Sequence, residues 1–312
     1  MTGFRFGFNN FALRSRRDFV DFCRTAESYG YDVFVGTDHL GSAAPFTELV
    51  AAAAATERLR LGTLVLNVGF WNPHLLAREA ATADVLTDGR LELGLGAGHM
   101  KWEFDAAGIE WEPLAARTGR LERTIEELGR LFAGPGYPER AALREFYDLP
   151  ELAPVQKRGF GGHGPPLLIG GTGDTVLRLA ARHADIVGFG GLFQVKGQPP
   201  GTFRIGTAEE TDERVRFFRE QAGERAATME FNVLVQAVIV TDDRRSVVEG
   251  LVADRLRPLT VDEALETPFL LIGTEAQIAE QLRANQERFG FSYITVHGPY
   301  MEALGPIIER LR

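Results

Sequence analysis

The sequence predicts a (β/α)8 barrel, an α/β fold, and three observations lead there. Short apolar runs of β type alternate with amphipathic helical stretches almost from end to end. Eight such runs can be counted, where a doubly wound open sheet usually has five to seven. No break in composition divides the 312 residues, a length that barrels routinely reach as one domain.

The elements follow in order. Arg5–Asn9 reads as the first strand. Residues 15–29 follow as a helix, with Phe19, Val20, Phe22, Cys23 and Ala26 at helical spacing and Gly30 as its stop. Val33–Gly36 is the second strand and 45–56 the second helix. Residues 61–66 form the third strand, and Pro73–Leu86 a helix with proline in its first turn. The fourth strand is 91–95, with a helix at 118–132. The fifth is 167–169, followed by the helix Asp174–His183. Ile186–Phe189 is the sixth, with a helix near 209–222. Residues 231–240 are the seventh, with helical material from Arg244 and a helix at 274–289. Residues 293–296 are the eighth, and a short helix from Met301 closes the chain. Strands each followed by a helix imply a parallel sheet, which right-handed crossovers close into a barrel.

Two stretches break the rhythm, 134–166 and 194–206, both rich in glycine and proline. The barrel pattern resumes after each, so both are expected to be lid-like insertions in one domain spanning 1–312.

The composition narrows the function. The formal net charge of −9 argues against nucleic acid and anionic membrane as partners and leaves a small-molecule substrate. A single cysteine, Cys23, excludes an internal disulfide and a cysteine-based metal site. The first residues lack the shape of a signal peptide, and no apolar stretch reaches the ~18 residues of a membrane span, so a cytoplasmic protein is expected.

Catalytic groups of a barrel sit where its strands end. Asn9 and Asn10 follow the first strand; Thr37, Asp38 and His39 the second; Asn67, Gly69, Phe70, Trp71 and Asn72 the third. Gly94, Gly96, Ala97, Gly98 and His99 end the fourth, and His297 the eighth. After the fifth comes Gly170-Gly171-Thr172-Gly173-Asp174, where glycines expose backbone N–H groups and a helix begins. Such a helix start accepts a phosphate; the competing reading is an ordinary tight turn capped by Asp174. The glycines at 94, 96 and 98 lack a suitably placed acidic residue ~20 positions on, so they are no dinucleotide fingerprint; small residues there are expected to let a planar ring or polyol chain lie against the backbone. Histidine exchanges protons near neutral pH, which makes His39 a catalytic candidate. On a strand, the adjacent Asp38 points the other way and is expected to support a neighbouring strand. His74, His163 and His183 lie in helix or insertion contexts, while His99 and His297 stay open as site candidates. No paired metal spacing, Gly-x-Ser-x-Gly elbow or Walker loop occurs. Phe70, Trp71, Trp102, Phe104, Trp111 and Phe189 offer aromatic surface for a flat ligand.

These residues, in this order, resemble the luciferase-like monooxygenase superfamily. The similarity rests on Thr-Asp-His at 37–39, Leu-Gly-Thr-Leu-Val-Leu-Asn at 61–67, Asn-Pro at 72–73 and Leu-Thr-Asp-Gly-Arg-Leu-Glu-Leu-Gly-Leu-Gly-Ala-Gly at 86–98. It continues with Gly-Ile at 108–109, Leu-Ile-Gly-Gly-Thr-Gly-Asp at 168–174, Ala-Asp-Ile-Val-Gly at 184–188 and Leu-Ile-Gly-Thr at 271–274. It covers nearly the whole chain and is nearest the deazaflavin-dependent branch. The resemblance implies a homodimer that binds coenzyme F420, or alternatively FMN, at the barrel mouth. It implies a ring resting on a bulge at the end of strand three, with a non-prolyl cis peptide between Leu64 and Val65, and a phosphate at the glycine loop. It implies His39 as the catalytic residue facing the hydride-carrying carbon. Cofactor contacts are expected at Asp38, Leu64, Val65, Asn67, Ala97, Gly98, His99, Gly170, Gly171, Thr172 and Gly173. His99 departs from the pattern, because many relatives have an aromatic residue there. The leading expectation is hydride transfer between F420 and a small organic substrate. The alternatives are an FMN-dependent monooxygenase fed by a separate reductase, and a non-catalytic flavin-binding barrel.

Overall fold

A computed structural model describes residues 3–134, 145–148, 150–256 and 258–312 of the chain. Of the expected insertion at 134–166, residues 135–144 and 149 lie outside the described residues. The strands are β1 (Arg5–Asn9), β2 (Val33–Gly36), β3 (Arg60–Thr63), β4 (Leu66–Asn67), β5 (Leu91–Gly96), β6 (Leu167–Gly170) and β7 (Ile186–Phe189). There follow β8 (Leu192–Gln194), β9 (Phe203–Ile205), β10 (Glu230–Val235), β11 (Ala237–Val240), β12 (Leu270–Gly273) and β13 (Phe291–Val296).

The sheet runs β3-β2-β1-β13-β10-β7-β6-β5-β4, and a further pairing of β3 with β5 closes it. Every pairing in it is parallel. With β3 and β4 counted as one interrupted strand, this is the expected closed eight-stranded (β/α)8 barrel. The third strand differs from expectation by breaking at Leu64–Val65, where the peptide bond is cis, at the bond the resemblance implied. The seventh differs too: the apolar run bends at Gln236. β10 stays in the barrel, while β11 leaves it to pair with β12 in a separate parallel ribbon. The 194–206 insertion is an antiparallel hairpin of β8 and β9.

The helices are α1 (Arg16–Ser28), α2 (Pro45–Ala55), α3 (Pro73–Leu86), α4 (Lys101–Ala107), α5 (Leu114–Ala133) and α6 (Asp174–His183). After them come α7 (Ala208–Ala222), α8 (Arg244–Asp254), α9 (Val261–Glu266), α10 (Glu275–Phe289) and α11 (Met301–Leu311). Their starts are chemically marked. Ser15 caps α1 by accepting from the Asp18 N–H, and Thr207 with Glu210 forms a capping box on α7. α1 buries Phe19, Cys23 and Ala26 as its spacing requires, and burial pushes the Cys23 thiol up to about 12. No helix among the described residues is long and apolar enough to cross a membrane.

The main core lies between strands and helices; a second cluster fills the barrel itself. Val33, Val35, Leu168, Ile186 and Tyr293 are buried there, with Leu64 and Val65 packed on them. Below it, Arg5 donates to Glu92 and Glu230, and Arg60 also reaches Glu92. Glu92 is only 4% exposed; both guanidinium groups converge on its Oε1, while its Oε2 is buried without a hydrogen-bond partner.

Candidate active site

His39, just past β2, is a third exposed at the mouth. Its Nδ1 lies 2.9 Å from Glu103 Oε1, and the Leu40 N–H donates to the same oxygen at 3.1 Å. An oxygen that accepts the Leu40 N–H also accepts at Nδ1, so Nδ1 carries the proton and Nε2 is left as the free face of the ring. Glu103 is positioned by α4. The Lys101–Asp105 pair marks the helix's outer side, while Glu103 and Phe104 are buried, Phe104 against Phe70 and Trp111. A left-handed Gly108 ends the helix.

Asp38, two residues past the end of β2, turns to the third strand. It accepts from the Asn67 N–H and from Trp71 Nε1, both at 2.9 Å, and so ties the end of β2 to the third strand. Burial raises its pKa, against those two hydrogen bonds, which lower it. The Asn67 side chain turns back to accept from Gly69 N–H, so neither its N–H nor its Oδ1 faces the mouth unengaged.

The glycines at 94, 96 and 98 serve a different purpose from the one expected. A Cβ on Gly94 would stand 1.8 Å from the Thr63 carbonyl oxygen, one on Gly96 2.6 Å from Val65 Cγ2, and one on Gly98 2.4 Å from Asn67 Oδ1. The space a side chain would take is filled by the third strand at 94 and 96 and by Asn67 at 98. Val65 likewise sends its side chain down into the barrel, 3.2 Å from where a Cβ on Gly170 would be. Arg117 fixes the loop above by donating to the carbonyls of Ala97 and Gly98, with its guanidinium 3.7 Å over Trp111.

His99 stands edge-on between His39 and Phe203, at ring separations of 5.6 and 5.5 Å. Phe203 belongs to the β8–β9 hairpin, and Gly201 of the same hairpin lies beside Met100 Sδ and the His99 carbonyl. The insertion therefore reaches across the mouth to the loop after β5. Burial, and then the neighbouring His39, lower the His99 pKa.

His297 is differently placed. The Gly298 N–H fixes Asn9 Oδ1 as acceptor at 2.9 Å, so Asn9 Nδ2 faces His297 Nδ1 as donor at 3.0 Å. Gln236 Nε2 donates to the Gly190 carbonyl at 2.8 Å, so its Oε1 accepts from His297 Nε2 at 3.4 Å. Both neighbours demand the same neutral tautomer, and burial pushes this imidazole down to about 4. His297 thus has no free nitrogen, which separates it from His39, whose Nε2 is unengaged.

At the glycine loop, Gly173 is the N-cap of α6 and gives no side-chain cap. Asp174, a candidate cap in the sequence, is instead the first helical residue and pairs with Arg214 at 2.5 Å. A Cβ at Gly173 would meet nothing within 4 Å, so the amides of the first turn face open space. Gly171 has φ +153° and no room, since a Cβ there would lie 2.8 Å from Val176 Cγ1. Among the described residues no group of three or more His, Cys, Asp or Glu could hold a metal ion.

Residues 8–261 match the family profile described as luciferase-like monooxygenase. The chain belongs to that family. Curated relatives include an F420-dependent glucose-6-phosphate dehydrogenase of Kribbella flavida, 27% identical over 301 residues, 91% of this chain and 88% of that one. Another, of Nocardia farcinica, is 34% identical over 185 residues, 54% of this chain and 52% of that one. Among solved structures, an F420-dependent secondary alcohol dehydrogenase in complex with an F420-acetone adduct aligns with a TM-score of 0.72 at 16% identity, covering 100% of both chains. The FMN-bound oxygenating constituent of 3,6-diketocamphane monooxygenase from Pseudomonas putida aligns with 0.70 at 17% identity, covering 99% of this chain and 96% of that one. At these identities the structural likeness establishes the barrel fold alone.

The mouth brings together His39, His99, Asp38 and Asn67 around the third-strand bulge, while Gly170 to Gly173 lie at the start of α6. Three residues were not anticipated: Glu103, which orients His39, Arg117, which holds Ala97 and Gly98, and Gln236, which locks His297. Glu103 had one signal, an acidic residue opposite the exposed Lys101–Asp105 pair of a short helix.

Proposed function

We propose that this chain is an F420-dependent oxidoreductase that moves a hydride between the deazaflavin coenzyme and a small organic substrate, with His39 as proton donor or acceptor. The observation that carries the reading is the His39–Glu103 pair, which leaves Nε2 open at the mouth above the third-strand bulge. The names of the curated relatives support the choice of coenzyme. Bound F420 supplies the hydride acceptor or donor and little oxygen chemistry, because carbon replaces nitrogen at its reactive ring position. The chain has places for such a group: the open, uncapped first turn of α6 suits a phosphate, and the Leu64–Val65 bulge offers a floor for a ring.

The protein's own part is proton handling. When an alcohol is oxidised, its carbinol hydrogen leaves as hydride and its hydroxyl proton goes to His39 Nε2. The ring becomes an imidazolium whose Nδ1–H stays on the Glu103 carboxyl. In the reverse direction Nε2–H donates to the oxygen on which negative charge develops. Glu103 fixes the tautomer in both directions. We also infer a cytoplasmic homodimer, on family resemblance; light scattering that shows only monomer would remove the dimer.

Equilibrium titration with F420 and with FMN, followed by turnover assays, tests the proposal. F420 should bind more tightly. His39→Ala should lower turnover by ~10²–10⁴-fold and leave coenzyme affinity within a few-fold. Near-wild-type turnover in the folded, coenzyme-saturated variant would overturn the role of His39. Measurable affinity for FMN alone would overturn the coenzyme.

A further inference from the structure

Three histidines stand at the mouth, and His99 is the one that keeps both ring nitrogens open. His39 gives Nδ1 to Glu103, and His297 is held at both nitrogens by Asn9 and Gln236. Among the described residues no hydrogen bond or ion pair reaches the His99 ring. The ring is nevertheless closely placed. Gly98, just before it, takes a left-handed φ of +76°, and Arg117 holds the carbonyls of Ala97 and Gly98, so the backbone that carries His99 is fixed. Edge-on packing sets its two sides, with the His39 ring at 5.6 Å and the Phe203 ring at 5.5 Å. A side chain oriented by packing, with its polar atoms left over, is prepared to meet a ligand.

The surroundings fix the charge on both sides of that meeting. His99 is exposed at the mouth, yet the protein flanking its ring desolvates it; this, and then the neighbouring His39, lower its pKa, with Arg117 acting the same way and Glu103 against it. A neutral imidazole offers one donor and one acceptor. An anionic group beside it would face the Glu103 carboxylate. The cations that α4 and α5 bring to this loop are occupied, Lys101 by Asp105 and Arg117 by the two carbonyls and Trp111. The open nitrogens of His39 and His99 therefore suit uncharged oxygens. Each hydrogen bond reaches ~2.8 Å, so rings 5.6 Å apart can hold two oxygens borne on neighbouring carbons of one small molecule.

On the hydride-transfer reading above, we propose that His99 is a specificity-determining residue. It binds a second oxygen of the substrate, on the carbon next to the one that reacts at His39. The substrate class is then an uncharged α-hydroxy ketone or the vicinal diol that corresponds to it. In the reducing direction the hydride passes from the reduced deazaflavin to the carbonyl carbon, and the proton passes from His39 Nε2 to the carbonyl oxygen. The products are the diol, a neutral His39 and oxidised coenzyme. The neighbouring hydroxyl stays unchanged on His99.

Hydroxyacetone and acetone differ by that one hydroxyl, and turnover of each with reduced F420 tests the proposal. The intact protein should reduce hydroxyacetone with a kcat/KM at least about tenfold above that for acetone, the effect of one well-placed hydrogen bond. His99→Phe keeps an aromatic ring against Phe203 and removes both nitrogens, so it should bring the two ketones within about twofold. His99→Gln keeps a donor and an acceptor and should retain part of the preference. Each value is a ratio of two substrates on one protein, so a general loss of fold or of His39 chemistry does not move it. A ratio near one in the intact protein, a preference that survives His99→Phe, or F420 binding without any reduction of hydroxyacetone would overturn the role of His99. Failure of F420 to bind at all would instead overturn the coenzyme reading beneath it.

Discussion

Glu48 offers a stability prediction with a magnitude. It lies on α2, 3% exposed, with neither carboxyl oxygen hydrogen-bonded. Its Oε1 presses on Gly36, at the end of the strand that leads to His39; a Cβ on Gly36 would stand 2.9 Å from it. Burial raises this carboxyl from its ordinary 4.5 to about 8. The folded state therefore disfavours the ionised form. Stability from this group is intact below pH 4.5, falls as the pH rises toward 8 and is flat above it. At ~1.4 kcal/mol per pH unit the loss is about 3 kcal/mol at pH 7 and a little over 4 at pH 8. Glu48→Gln keeps the shape and cannot ionise. Urea denaturation of both proteins from pH 4.5 to 8.5 should show a stability difference that starts small and grows in the variant's favour by those amounts, other titrating groups cancelling. A difference constant within about 0.5 kcal/mol across that range would refute the argument, because a paired or hydrated carboxyl would not behave this way.

Three further outcomes follow from the geometry. Glu103→Ala should cut turnover by roughly 10–10³-fold with coenzyme affinity nearly unchanged, since it frees the His39 ring; stopped-flow turnover beside a binding titration checks it. Gly173→Val should weaken coenzyme binding by ~1–3 kcal/mol without loss of fold, measured by titration and circular dichroism, because that position is open and has ordinary backbone angles. Arg5→Met should cost about 1–3 kcal/mol in a denaturation curve, by leaving Glu230 without its partner and Glu92 with Arg60 alone.

The barrel was legible because its signals are local. Alternating apolar runs, Ser15 before α1, Gly30 after it and Pro73 at the start of α3 each act within one element. The bend at Gln236 was not legible: an unbroken apolar run carries no mark where a strand changes partners, so β11 and β12 were invisible as a pair. His39 and the glycine loop could be placed from strand ends alone. Glu103 could not, because it is 64 residues from the ring it orients and only the folded barrel brings them together. The glycines of β5 misled for a related reason. A missing side chain shows that something comes close, but not whether the visitor is a ligand or, as here, the chain's own third strand.

The filled barrel has a consequence for proton traffic. Val33, Val35, Leu168, Ile186 and Tyr293, with Leu64 and Val65 packed on them, fill its interior, and the Arg5–Glu92 pair lies below them. With Nδ1 engaged by Glu103, the open Nε2 of His39 meets solvent on the side where substrate also enters and leaves. A substrate seated over the ring covers the opening through which the proton taken from its hydroxyl must leave. Release of that proton to solvent should then follow product departure, an order that a pH indicator followed beside coenzyme absorbance in a stopped-flow turnover would measure.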